Sequence, residues 1–202
     1  MDFLISNSIY ILETVAICAF AFSGMVMARQ KNFDPVGVSI MAFVTALGGG
    51  TFRDIVLDNH PLYWIAHSEY LLLIFGLSII FYFFTRVEGR PEWLIIPDAM
   101  GIALFTVTSA QMAMAEYLPL IVVAILATSA ATFGGLIRDI LCHEVPMVFQ
   151  KVSLYASASF AGVWVYIGCI SFDVNESLAM LIGVLFIFIL RLLAVRFNLR
   201  FR

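Results

Sequence analysis

Seven apolar stretches, each close to the length that crosses a bilayer, follow one another through the 202 residues of this chain. A hydrocarbon core of roughly 30 Å is crossed by a helix of about 20 apolar residues. Hydrophobic residues make up 62% of the sequence and charged residues 12%, whereas a soluble domain has about 25% charged residues. The sequence therefore predicts an all-α integral membrane protein with a single membrane domain over residues 1–202. The seven spans are predicted at about residues 6–28, 35–57, 69–85, 94–114, 117–141, 152–171 and 177–195.

The distribution of basic residues predicts the orientation. With the N-terminus outside, two arginines lie within spans and the other nine of the eleven basic residues lie in inside loops or the C-terminal tail. Inside loops rich in Lys and Arg are the rule for inner membrane proteins. We therefore expect a multi-pass protein of the inner (plasma) membrane with its N-terminus outside and its C-terminus in the cytoplasm. The nine residues assigned to the inside are Arg29, Lys31, Arg86, Arg90, Lys151, Arg191, Arg196, Arg200 and Arg202.

Two glycine runs, each followed by an Arg-Asp pair, lie 85 positions apart. They read Gly48-Gly49-Gly50-Thr51-Phe52-Arg53-Asp54 and Gly134-Gly135-Leu136-Ile137-Arg138-Asp139. The same shift places Glu13 on Asp98, Pro61 on Pro146 and Tyr70 on Tyr155. This register indicates a duplication, with repeat one over about residues 6–90, repeat two over about 91–175 and a seventh helix over about 177–195. Three spans per repeat is an odd number, so the two repeats have inverted topology.

The glycines lie near the predicted middle of the second and fifth spans. One interpretation is that these helices bend or unwind there, so that backbone carbonyls face a permeating cation. Hydroxyl groups in the same spans could then add oxygen ligands. The alternative is that the glycines only allow close packing of helices, as small residues often do in membranes. The candidate hydroxyl-bearing residues are Thr45, Thr51, Thr128, Ser129 and Thr132.

We assign six charged residues to the membrane interior, and inverted topology sets their depths. Glu13 falls at the depth of Arg53, and Asp98 at the depth of Arg138. Because an ionised side chain facing lipid costs roughly 3 kcal/mol, we expect these pairs to face the protein interior as ion pairs. Their aspartate neighbours, Asp54 and Asp139, are further acceptors. The pairs either hold helices together or act as electrostatic gates above and below the glycines.

Motifs of catalysis and tight metal binding are missing from the sequence. There is no phosphate-binding loop, nucleophile elbow or zinc-protease motif, so neither an enzyme nor a cofactor is expected. Cys18, Cys142 and Cys169 have no metal-ligand spacing. No nucleic-acid partner is expected.

The doubled glycine-Arg-Asp motif, with Glu13 and Asp98, resembles a bacterial member of the trimeric intracellular cation (TRIC) channel family, also known as UPF0126 and as a glycine transporter domain. The resemblance implies a homotrimer in contact with membrane lipids. Each protomer would contain an hourglass pore for monovalent cations, chiefly potassium, bound transiently where kinked second and fifth spans form a constriction. One departure is that Phe133 stands where the first motif has Gly48.

Two other functions stay open at this point. One is a carrier for a small zwitterion such as glycine, with Arg53 or Arg138 binding the carboxylate and Glu13 or Asp98 binding the ammonium group. The inverted repeat also suits alternating access. The other is a structural or assembly role without flux.

Overall fold

The computed structural model describes residues 2–85, 92–150 and 154–197. Within these ranges the chain forms eight α-helices and one 3-10 turn over Met147–Phe149. The helices are α1 (Asp2–Gln30), α2 (Pro35–Val56), α3 (Tyr63–Ala66), α4 (Glu69–Phe84), α5 (Glu92–Ala115), α6 (Leu120–Leu141), α7 (Tyr155–Ser171) and α8 (Glu176–Arg196).

The seven predicted spans coincide with the seven longer helices, with boundaries that agree to within four residues. By length and composition, α1, α2, α5, α6 and α8 are apolar enough to cross a membrane. The helices α4 and α7 are apolar but have only 16 and 17 residues. At 1.5 Å per residue they are about 25 Å long, slightly less than the hydrocarbon thickness. The chain is an all-α, multi-pass membrane protein, and complete spanning by α4 and α7 stays a prediction.

The helices α2 and α6 end in the same way, at positions that the predicted duplication makes equivalent. Asp58 and His143, which are 85 positions apart, each adopt a left-handed conformation with φ of 55°. The next residue then donates its N–H back to an aspartate carbonyl, Asn59 to Asp54 at 2.8 Å and Glu144 to Asp139 at 2.9 Å. Both Arg-Asp pairs therefore lie in the last turn and a half of their helices.

Four helices form the centre of the fold. The helix α1 packs against α2 and α5, and α6 packs against the same two helices. Outside this ring, α4 lies on α1 and α2, and α7 lies on α5 and α6. The added helix α8 packs on α5 and α7 and has no equivalent in the first repeat among the described residues. The packing of α1, α2 and α4 thus resembles that of α5, α6 and α7, and α8 breaks this approximate two-fold symmetry.

The backbone at the two glycine runs is continuous α-helix, from Pro35 to Val56 and from Leu120 to Leu141. The prediction that these helices unwind at the glycines is therefore wrong. The physical reason is that the helices approach each other so closely that the glycines are needed for contact. A bend that keeps the helical hydrogen bonds stays a prediction.

The prediction that Arg191 lies in the inside tail is wrong. Arg191 lies within α8 and is only 1% exposed. Of the other residues used for the orientation, Arg86, Arg90, Lys151, Arg200 and Arg202 lie outside the described residues. Arg29, Lys31 and Arg196 lie at helix ends or in a loop, as expected.

Candidate functional site: two buried arginine clusters about a helix crossing

The helices α2 and α6 cross at Gly49 and Gly134, which are equivalent positions of the two repeats. A Cβ built on Gly49 would lie about 1 Å inside ordinary contact distance of the Ala130 carbonyl oxygen. A Cβ built on Gly134 would overlap the Thr45 carbonyl oxygen to the same degree. Thr45 and Ala130 are themselves 85 positions apart. The crossing is therefore a symmetric backbone contact, and no residue with a side chain fits at either glycine without moving a helix.

The neighbouring glycines are less constrained. A Cβ on Gly48 would be 3.5 Å from the Gly134 Cα, and one on Gly50 would be 3.5 Å from the Phe105 ring. These are ordinary contacts. Gly135 faces the side-chain hydroxyl of Tyr155 rather than a backbone atom. Only the central glycine of the first run and the first glycine of the second run are needed for the crossing.

The predicted hydroxyl ligands mostly bond to their own helices. Thr45 donates to the Met41 carbonyl at 2.7 Å, Thr51 to the Leu47 carbonyl at 2.8 Å, and Thr132 to the Thr128 carbonyl at 2.9 Å. This is the usual behaviour of helical threonine. The Thr128 hydroxyl is buried without a hydrogen-bond partner among the described residues. Ser129 is half-buried beside them and accepts through its carbonyl from Thr132 at 3.2 Å.

The first charged cluster lies at the end of α2. Arg53 Nη1 donates to Glu13 Oε1 at 2.5 Å, and Arg53 Nε donates to Asp54 Oδ1 at 2.9 Å. Arg53 is fully buried, and Glu13 is 1% exposed. The guanidinium carbon lies 5.2 Å from the centre of the Phe105 ring, which belongs to the other repeat. The structure therefore brings together the residues that the sequence paired.

The second cluster lies at the end of α6 and repeats this arrangement. Arg138 Nη1 donates to Asp98 Oδ1 at 2.7 Å, and Arg138 Nε donates to Asp139 Oδ1 at 2.9 Å. All three residues are buried. A second arginine from the added helix, Arg191, donates through Nη2 to Asp98 Oδ2 at 3.0 Å. Its guanidinium lies 4.3 Å from the centre of the Tyr155 ring, whose hydroxyl also donates to Asp98 at 3.3 Å.

Each aspartate of the Arg-Asp pairs also fixes the segment that follows its helix. Asp54 Oδ2 accepts the backbone N–H of Tyr63, at the start of α3, at 2.8 Å. Asp139 Oδ2 accepts the backbone N–H of Met147, at the start of the 3-10 turn, at 2.9 Å. Because one carboxylate binds both the arginine and the returning chain, movement of an arginine is coupled to the loop beside it.

Two partners of the second cluster were not predicted. Arg191 was assigned to the tail, although it lies inside the predicted seventh span, and that position was the available signal. Ser23 of α1 accepts a hydrogen bond from Arg138 Nη1 through its Oγ. No pattern in the sequence marks Ser23 for this role.

An exposed ion pair joins two loops on the predicted cytoplasmic side. Lys31 Nζ, between α1 and α2, lies 2.5 Å from Glu144 Oε1, just after α6. The hydrogen bond with Glu144 raises the pKa of Lys31 above its ordinary value. Both side chains are substantially exposed to solvent, so water and salt screen the pair.

Buried arginine-carboxylate clusters on both sides of a glycine crossing, in two segments of similar sequence, are typical of membrane channels and transporters. Comparison with known proteins agrees with this class. The family model described as "Glycine transporter" matches twice, over residues 10–86 and 95–171, and the two matches start 85 residues apart.

Among curated relatives, the chain is 34% identical to the UPF0126 inner membrane protein YadS of Escherichia coli K12, covering 95% of this chain and 94% of that protein. It is 32% identical to a UPF0126 membrane protein of Vibrio cholerae, covering 96% of this chain and 82% of that protein.

Among solved structures, the TRIC trimeric intracellular cation channel orthologue of Rhodobacter sphaeroides superposes with a TM-score of 0.90 at 29% identity, covering 96% of this chain and all of that chain. A prokaryotic TRIC channel crystallised in 0.5 M KCl gives a TM-score of 0.88 at 30% identity, covering 96% and 98% of the two chains. This chain belongs to that family, the prokaryotic TRIC proteins that are also described as UPF0126 and glycine transporter domains.

Proposed function

We propose that this protein is a passive channel for monovalent cations, chiefly potassium, with one path in each protomer of a homotrimer. The observation that carries the proposal is the two-fold arrangement of the Arg53 and Arg138 clusters on either side of the Gly49–Gly134 crossing. The names of the solved relatives, cation channels and a trimeric channel orthologue, support it.

The path runs from the cluster at Arg53, past the crossing, to the cluster at Arg138. The helices α2 and α6 touch at the crossing, and in this proposal that contact corresponds to the closed state. Conduction requires the two helices to separate there, which is a shear between two packed helices. Separation exposes the carbonyl oxygens of Thr45 and Ala130, which each face a glycine of the opposite helix, and Thr51, Ser129 and Thr132 line the same stretch.

The arginines and carboxylates are proposed to set the electrostatics of the two mouths. Each arginine is bonded to two carboxylates, Arg53 to Glu13 and Asp54, and Arg138 to Asp98 and Asp139. A guanidinium released from these partners would repel cations. At Gly48 and Gly50, beside the contact glycine Gly49, the opposing atoms lie at ordinary distances, so the helices can slide there. Gly135 lies against the Tyr155 hydroxyl.

Potassium flux from liposomes tests the proposal. Reconstituted protein should release potassium down its gradient, and replacing Arg53 with glutamine should change the rate by about tenfold or more, equivalent to about 1.4 kcal/mol. The matched control is Arg196→Gln, because Arg196 is exposed at the end of α8. Wild-type protein that gives no potassium flux would overturn the proposal.

The family model's description favours one second candidate, a carrier of a small zwitterion such as glycine. Arg53 or Arg138 would bind the carboxylate, and Glu13 or Asp98 the ammonium group. Counterflow of radiolabelled glycine distinguishes the two functions. A carrier shows saturable exchange, and a channel does not.

The proposed setting is the inner membrane, with the N-terminus outside and the C-terminus in the cytoplasm. The name of the Escherichia coli relative supports the membrane. Mass measurement in lipid nanodiscs tests the trimer, and a protomer mass would exclude it.

A further inference from the structure

The two charged clusters are not equal in charge. Within the described part of the chain, the second cluster holds two carboxylates, Asp98 and Asp139, and two arginines, Arg138 and Arg191. The first cluster holds two carboxylates, Glu13 and Asp54, and one arginine, Arg53. Counted as ionised groups, the second cluster is neutral and the first carries one negative charge.

One carboxylate oxygen of the first cluster lacks a hydrogen-bond partner in the part of the chain that the structure describes. In the first cluster both oxygens of Asp54 are bonded, one to Arg53 and one to the Tyr63 backbone. Glu13 Oε1 is bonded to Arg53. Glu13 Oε2 is buried and has no hydrogen-bond partner among the residues whose side chains are described. A buried, ionised oxygen without a partner is unfavourable, because removing a charge from water costs free energy that only a partner can offset.

In the second cluster the equivalent carboxylate oxygen has a cationic partner. The atom equivalent to Glu13 Oε2 is Asp98 Oδ2, and it is bonded to the guanidinium of Arg191 at 3.0 Å. Arg191 comes from α8, the helix without a counterpart in the first repeat. The repeat therefore provides two equivalent carboxylates, and the chain supplies a tethered cation to only one of them.

We propose that Glu13 Oε2 binds a monovalent cation, at the position that the Arg191 guanidinium takes in the second cluster. A single positive charge neutralises the cluster, whereas a divalent ion would leave an excess positive charge beside Arg53. This proposal rests on the proposed function for the choice of potassium as the cation. The binding measurement below does not depend on flux.

Three hydroxyl groups form a chain of contacts near the first cluster. The Tyr63 hydroxyl neighbours the Glu13 carboxylate and lies 3.2 Å from the Tyr70 hydroxyl. The Tyr70 hydroxyl in turn lies 2.8 Å from Thr14 Oγ1. Carboxylate and hydroxyl oxygens are ligands suited to hard cations such as potassium.

Thermal unfolding of the purified protein tests the proposal, with KCl exchanged for choline chloride at constant ionic strength. The Tm of wild-type protein should rise with the logarithm of the potassium concentration above its dissociation constant, reaching about 3 to 6 °C at ten times that constant. Glu13→Gln should abolish the rise. Glu116→Gln is the matched control, because Glu116 is exposed in a loop and should leave the rise intact.

Arg191→Met provides a second test, because it leaves Asp98 Oδ2 in the state of Glu13 Oε2. This variant should show a second potassium-dependent rise in Tm that the wild type lacks. Should the variant not fold, crystals of wild-type protein soaked in thallium should show anomalous density beside Glu13 and none beside Asp98.

A Tm that responds to potassium equally in wild type and Glu13→Gln would overturn the proposal, as would thallium density absent from Glu13. A Tm that depends on pH but not on potassium would indicate that a proton occupies Glu13 Oε2, and this result would also overturn the proposal. Potassium flux in liposomes separates this proposal from the channel. Flux without binding at Glu13 refutes only the site, and binding without flux refutes only the channel.

Discussion

Replacing Gly49 with alanine should separate the two central helices, and the structure gives the size of the effect. The added methyl group would lie about 1 Å too close to the Ala130 carbonyl oxygen, and a backbone atom cannot rotate away. Overpacking of this kind costs about 1–3 kcal/mol, while alanine regains up to about 1 kcal/mol of helix propensity over glycine. The expected net loss in the free energy of unfolding is about 1–2 kcal/mol, or about 2–8 °C in Tm.

Gly50→Ala is the matched control, one position further along the same helix. Its methyl group would meet the Phe105 ring at an ordinary 3.5 Å, so only the propensity gain remains. Thermal unfolding in detergent should therefore show Gly49→Ala below wild type and Gly50→Ala equal to it or up to about 4 °C above. Equal Tm values for the two variants would refute the conclusion that this crossing is a tight backbone contact.

Three further results are expected. Asp98→Asn should lower the free energy of unfolding by roughly 3–5 kcal/mol, measured with denaturant, because it leaves two buried arginines beside one carboxylate. Glu13→Gln should lower it less, and the reverse order would contradict the charge assignment. The hydrogen bond to Glu144 raises the pKa of Lys31. The ion pair therefore stabilises the fold fully below pH 10.5, the ordinary pKa of lysine, and this stabilisation is lost as the pH rises through the raised pKa. Glu144→Gln should remove this dependence of Tm on alkaline pH. Tyr117 is 96% exposed between α5 and α6, on the predicted outer side. In a protein without its native cysteines, the variant Tyr117→Cys should react with an impermeant maleimide on intact cells. Labelling only after lysis would show that the topology is the reverse of the predicted one.

The helices were predictable because apolar length leaves little freedom in a membrane. Their boundaries follow residues with clear local roles. Pro119 ends the α5–α6 turn and keeps α6 from starting at 117, and Asp34 caps α2 by accepting the Gly37 N–H at 2.7 Å. What hydropathy could not give is whether the 16 or 17 residues of α4 and α7 cross the bilayer completely.

The two ion pairs were predictable because the repeat fixes the depth of each charge. Arg191 was not, because α8 lies outside the repeat and has no equivalent residue to compare. A basic residue near the end of the last helix also satisfied the positive-inside rule without further explanation. Arg191 is the fifth residue from the end of the predicted span at residue 195, and this position was the sign that it faces the interior.

The role of the glycines was not predictable from the residues alone. Unwinding and close packing both require the absence of a side chain, so Gly49 and Gly134 fit either. Only the position of the opposing backbone decides between them. The carbonyls of Ala130 and Thr45 supply that information, and they lie on the other repeat, 81 and 89 positions away in the chain.

The helix α8 has a consequence for direction. A channel made of two identical repeats with inverted topology would have the same structure at both sides of the membrane and would conduct equally in both directions. Because α8 adds Arg191 to only one of the two charged clusters, the two ends of the molecule differ. If the proposed channel is correct, it should rectify, and the direction of its larger current should depend on a helix that lies outside the two repeats.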